Sequence, residues 1–80
     1  MDTPDTETLA WVRQQVVTGM AKKIREASRL SQGDIARHVH VASATVSRWE
    51  SNERLPSGEA ALRYGALLRK LRRQSMVGAA

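Results

Sequence analysis

The stretch SQGDIARHVHVASATVSRWES, residues 31–51, decides the fold. Ile35, Ala36 and Val39 line one apolar face of a short helix, and Ser31 is placed to cap its start. Val41 falls in a turn. Beyond it Val46 and Trp49, three apart, set a narrow apolar stripe on a second helix otherwise made of small polar residues and Arg48. The spacing predicts two short helices joined by a tight turn, the second carrying a polar face.

With Val46 at zero on a helical wheel advancing about 100° per residue, Trp49 and Glu50 fall on the packed side with it. Ala44, Ser47, Arg48 and Ser51 point the other way, and Ser43 sits at the N-terminal tip. Small residues around one guanidinium make a surface that can enter a DNA major groove. Arg48 can donate two hydrogen bonds to guanine O6 and N7, the serines pair with several bases, and the Ala44 methyl can meet a thymine methyl. Ser43, Ala44, Ser47 and Arg48 are therefore the candidate base readers, on a helix spanning 43–51.

Size and charge agree. Eighty residues allow one domain with a small core, and there is no cysteine to staple it. Stability must come from helix packing, with dimerisation as a possible aid. Thirteen Lys and Arg against eight Asp and Glu give +5, which favours a polyanionic partner. Residues 1–40 carry six basic and five acidic side chains and residues 41–80 seven and three, so the positive field grows toward the C-terminal half. The start is acidic through Asp2, Asp5 and Glu7, unlike a secretory signal, and no apolar run spans a membrane. Lack of cysteine fits a reducing cytoplasm, and DNA binding would place the protein on the nucleoid.

Outside the central pair, Thr3-Pro4 is a good helix opening, with Asp5 and Glu7 in the positive first turn. Leu9, Val12, Val16, Met20, Ile24 and Ala27 keep a spacing of three or four through Gly19. One long helix or two meeting near Gly19 would fit. Glycine costs about 1 kcal/mol in a helix interior and Thr18 could cap a new start, so a break is favoured. Asn52 can take the left-handed conformation that ends the second helix of the pair. Pro56 and Ser57 then open a last helix expected to reach about Arg73, with 75–80 as a frayed tail. The expected organisation is an N-terminal helical extension over 1–17, a DNA-binding domain over 18–74, and the tail.

The last helix shows two apolar faces, Ala61, Gly65 and Leu68 on one, Tyr64, Leu67 and Leu71 on the other. The second exceeds what a minimal core needs. It could receive the N-terminal segment bearing Trp11 or form half of an interface; Trp11 itself is either a rim residue or a contact anchor. Arg69, Lys70, Arg72 and Arg73 form a basic run whose simplest reading is a solvated helix end complementing the dipole.

The segments IREASRLSQGDIA (24–36), VASATVSRWE (41–50) and LPSGEAALRYGALL (55–68) resemble, in order and spacing, the first, reading and closing helices of the XRE, or lambda-repressor and Cro-like, helix-turn-helix domains. The resemblance covers about residues 20–71. It implies an all-α bundle of four or five helices, with Gln32 beginning the second helix of the domain and residues 43–48 in the major groove. It also implies that Gln32 bonds a DNA phosphate and braces the first base reader, and that Arg25 pairs with Glu50. Because Glu50 lies on the packed side of the wheel, a partner is physically required. Two positions depart from the family pattern: His40 stands where glycine usually takes the positive φ of the turn, and Ala42 where Ser or Thr usually caps the reading helix. Unless Ser43 takes over as cap, the loss costs about 1 kcal/mol.

Candidate phosphate contacts are Gln32, Arg37, Thr45, Ser51, Asn52 and Arg54, at helix starts and in the loop after the reading helix, with Lys22, Lys23 and Arg29 adding to the field. His38 and His40, two apart without cysteine, do not form a metal site. No nucleophile and base constellation, phosphate loop, cofactor motif or small-molecule ligand site is evident, which argues against an enzyme. The reading is a sequence-specific regulator of transcription, a small repressor binding double-stranded DNA as a homodimer on a palindromic operator. The alternative is a protein-interaction module, such as an antitoxin or coactivator, whose helices chiefly grip a protein partner.

Overall fold

The computed structural model describes residues 4–79, with side chains described over 5–74. Thr3 and Ala80, and the side chains of the expected tail, lie outside the described residues. The chain forms five helices, α1 (Pro4–Val17), α2 (Met20–Ala27), α3 (Gln32–Val39), α4 (Ser43–Glu50) and α5 (Gly58–Ala79), with no strand among the described residues.

The first two helices meet at Gly19. Its φ of 83° is left-handed, a conformation open to glycine at little cost. Thr18 does not cap α2; its hydroxyl donates to the Gln14 carbonyl at 2.9 Å and closes α1 instead. The turn also rotates the apolar face, so the spacing that runs through Gly19 in the sequence does not survive in space. Met20 and Ala27 are exposed, while Ala21 and Ile24 are buried.

Three later turns use the same device without glycine. Arg29, His40 and Asn52 have φ values of 59°, 65° and 65°. After each, the next amide returns to a carbonyl near the end of the preceding helix: Leu30 to Arg25 at 3.2 Å, Val41 to Ala36 at 3.0 Å and Glu53 to Arg48 at 2.9 Å. These bonds satisfy the last-turn carbonyls of α2, α3 and α4. Asn52 and His40 match their expected conformations; Arg29 has no signal in its sequence that marks it for one. At the other end of α3, Ser31 and Asp34 form a reciprocal cap, Asp34 N donating to Ser31 Oγ at 3.0 Å and Ser31 N to Asp34 Oδ2 at 2.8 Å.

The core draws on every helix. Val12 and Val16 come from α1, Ile24 from α2, Ile35 and Val39 from α3, Val46 and Trp49 from α4, and Ala61, Tyr64, Leu67, Leu68 and Leu71 from α5. Trp49 stacks on Tyr64 with ring centroids 4.9 Å apart. Tyr64, Leu67 and Leu71, expected as a possible interface, are corrected to core: Tyr64 stacks on Trp49 of α4, while α1 packs on the adjoining face of α5 at Gly65. The two helices run antiparallel, since Thr8 and Val12 meet Gly65 while Thr8 and Trp11 meet Arg69. Trp11 is a rim residue, half-buried, with the Arg69 guanidinium 4.8 Å from its ring centroid. The helical backbone of α5 continues to Ala79, beyond the expected end at Arg73, so the basic run is not in its last turn.

Gly65 is a point of close approach. A methyl there would meet the Thr8 Cγ2 at 2.7 Å, a short branched side chain whose hydroxyl already accepts from Arg69. Gly65→Ala is expected to lower the melting temperature despite the better helix propensity of alanine, and adding Thr8→Ala to recover it. His40→Gly should instead stabilise, by up to about 1 kcal/mol, because it removes the left-handed strain of a side chain with a Cβ. Thermal melts of the variants check both.

Candidate nucleic-acid interface

The helix pair α3 and α4 is built so that α4 turns its polar face outward. Val46 is fully buried and Trp49 nearly so, anchoring one side. Ser43, Ala44, Ser47, Arg48 and Ser51 are exposed, and Thr45 is half-buried. Ala42 occupies the N-cap position with extended backbone and no side-chain bond, and Ser43 does not replace it. The helix therefore starts at Ser43, and its register is set by packing of Val46 and Trp49 rather than by a cap. Arg48 has no hydrogen bond or ion pair of its side chain among the described residues, which leaves its donors available.

Behind that face lies a charge cluster. Arg25 Nε and Nη2 grip Glu50 Oε2 and Oε1 at 2.7 and 2.9 Å, a two-pronged pair with side chains 11 % and 4 % exposed. Arg25 Nη1 also donates to the Leu30 carbonyl at 2.9 Å. Gln32 Nε2 adds a third bond to the carboxylate, at 3.0 Å to Oε1. Burial works against the Glu50 charge, but the hydrogen bonds from Arg25 and Gln32 and the Arg25 charge outweigh it, holding the carboxyl below its usual range.

The candidate phosphate contacts divide. Gln32 is half-buried and gives one Nε2 hydrogen to Glu50; its NH2 carries a second. Ser51 Oγ is likewise engaged locally, within 3.2 Å of the Arg48 carbonyl and 2.7 Å of Glu53 Oε2. Arg37 pairs with Asp34 on the surface. The Ser31 backbone and hydroxyl bonds, with Arg37 beside them, hold the Asp34 carboxyl low. Asn52 and Arg54 are exposed in the loop after α4, and the Arg54 side chain has no partner among the described residues. Lys22, Lys23 and Arg29 are exposed as well.

Two arginines that support this region escape sequence reasoning. Arg63 Nε donates to the Val39 carbonyl at 3.0 Å, tying α5 to the end of α3 and the turn. Arg13 Nε donates to the Pro56 carbonyl at 2.9 Å, tying α1 to the loop before α5. The i,i+4 spacing of Glu59 and Arg63 was a visible signal for a pair on the surface, at 3.4 Å, but not for the carbonyl bond. His38 and His40 are exposed, and no group of three potential metal ligands occurs among the described residues.

A family model described as helix-turn-helix matches residues 22–72, a span that begins after α1 and takes in α3, α4 and most of α5. No curated protein and no solved structure matches the chain. Among the described residues no helix is long and apolar enough to cross a membrane.

Glu50→Gln is expected to destabilise the fold by about 3 kcal/mol near neutral pH, in the range for breaking a buried pair. Since the folded carboxyl titrates below its unfolded value, its contribution is complete above that unfolded value and is lost as pH falls through the folded one. Melting curves of parent and variant should converge on acidification. Equal melting at neutral pH would rule out the buried pair as a stabilising element.

Proposed function

This chain belongs to the XRE-type helix-turn-helix family of DNA-binding regulatory domains, and from that premise we propose that it is a sequence-specific transcriptional repressor that reads the major groove with α4. The observation that carries the reading is the unpaired Arg48 guanidinium among exposed Ser43, Ala44 and Ser47, on a helix whose opposite side is immobilised by Val46 and Trp49. Arg48 would place two donors on guanine O6 and N7, Ser43 and Ser47 would bond adjacent base edges, and the Ala44 methyl would meet a thymine methyl.

Phosphate grip falls to Asn52 and Arg54 in the following loop and to Arg37, whose exposed pair with Asp34 exchanges readily for a phosphate. Thr45, half-buried at the edge of the outward face, adds a hydroxyl there. Ser51 would have to release its intramolecular bonds first, so we assign it positioning of the end of α4 instead, while Gln32 braces Glu50 with one Nε2 hydrogen and offers the other to a phosphate. A protomer with so small a footprint reads few base pairs. Useful affinity then calls for a homodimer on two half-sites about 34 Å apart, which makes the operator a palindrome. Action on DNA would place the protein on the nucleoid. The alternative of a protein-interaction module draws on Trp11, Tyr64, Leu67 and Leu71; the last three are taken up by the core, while Trp11 stays half-buried beneath Arg69.

Selection from a randomised duplex library at about 150 mM salt, where backbone attraction no longer dominates, is expected to enrich one inverted repeat. On that site Arg48→Ala should cost about 1 to 3 kcal/mol while leaving non-specific binding nearly unchanged. Retention of DNA without an enriched motif would overturn sequence-specific reading, and equal losses on both kinds of DNA would reassign Arg48 to phosphate.

A further inference from the structure

The helix α1 ends before the matched helix-turn-helix span begins, yet it reaches the loop that follows the reading helix. Val12 and Val16 sink fully into the core, and close approach at Gly65 fixes α1 along α5. Thus anchored, Arg13 is half-buried and sends Nε to the Pro56 carbonyl at 2.9 Å, across 43 positions of sequence.

The loop needs that bond. Its upstream half is secured to α4: the amides of Glu53 and Arg54 return to the Arg48 carbonyl at 2.9 and 3.3 Å. Its downstream half begins again only where the Ser57 carbonyl accepts from Ala61 in α5. Between them Leu55 is 46 % exposed and stands outside the hydrophobic core cluster, while Pro56 has no N–H to donate. Among the described residues, the only hydrogen bond made by Leu55 or Pro56 is the one that Arg13 supplies. The Pro56 ring is fully buried, so ring and carbonyl together pin the chain two residues past Arg54.

We propose that α1 braces this loop and that Arg13 is a positioning residue for the DNA-backbone grip, holding Arg54 where a phosphate can meet it. The inference rests on the proposed reading of DNA by α4 and its following loop. It makes α1 part of the binding apparatus although it lies outside the helix-turn-helix span.

Two measurements on the full chain test it. The first needs no DNA. In limited trypsin digestion, Arg13→Met, which keeps the aliphatic stem and removes the donors, should speed scission between Arg54 and Leu55 relative to scission elsewhere. The second is a double-mutant cycle on the selected operator with Arg13→Met and Arg54→Ala. If Arg13 works through Arg54, the double variant should bind more tightly than the product of the two single losses predicts, by about threefold or more. A merely structural role would leave the losses multiplicative. Circular dichroism first checks that each variant is folded at the assay temperature; should Arg13→Met be unfolded, Arg13→Lys, which loses the Nε donor but keeps the charge, takes its place in both measurements. A parent that enriches no operator sinks the proposed function itself. A parent that does, with unchanged scission or independent losses, overturns the brace alone.

Discussion

The carboxylate of Glu50 is the point on which the arrangement depends. It belongs to α4, is 4 % exposed, and is held by Arg25 of α2 and Gln32 of α3. A charge so placed is unfavourable alone and tolerable only when its oxygens are all engaged. Three helices must therefore stand in one relative arrangement for the carboxylate to be satisfied at all. The apolar contacts of Val46 and Trp49 supply adhesion, which is non-directional; the ion pair supplies orientation. Arg25 extends the constraint by also holding the Leu30 carbonyl, and so the turn that leads into α3.

A second level of support comes from the long helices. The apolar surface of α5 is wide because it serves several clients: it packs against α1, α2 and α3, and meets α4 through the Trp49 and Tyr64 stack. Tyr64 takes part at a cost. Its hydroxyl is buried without a hydrogen-bond partner among the described residues, and burial drives its pKa well above the usual phenol value. The stacking contact with Trp49 is what the ring contributes in exchange.

Much of this was legible in the sequence, and the failures share a physical origin. The 3.6-residue period placed Ile35, Ala36, Val39, Val46 and Trp49 inward and Ser43, Ala44, Ser47 and Arg48 outward, because within one helix spacing dictates direction. Across a turn it does not: the left-handed Gly19 rotated the apolar face between α1 and α2, which exposed Met20 and buried Ala21. The surplus face of α5 was visible, but its occupants depended on how the other helices pack around it. Arg13 and Arg63 were unreadable for another reason. Each bonds a backbone carbonyl, and a carbonyl carries no residue identity by which a sequence could announce it. The internal bonds of Gln32 and Ser51 were not legible either, because a polar side chain near a helix end has partners within its own fold as well as outside it.

The two tryptophans occupy different worlds. Trp49 lies in α4, nearly sealed from solvent against Tyr64, whereas Trp11 lies half-buried on α1 beneath a guanidinium. Indole emission shifts to the red as water reaches the ring, so the chain carries two native optical reporters in separate environments, one in the element that would touch DNA and one on the helix outside the family span. Loosening of α1 from the bundle would therefore be registered by a different chromophore from loosening of α4, with no label attached.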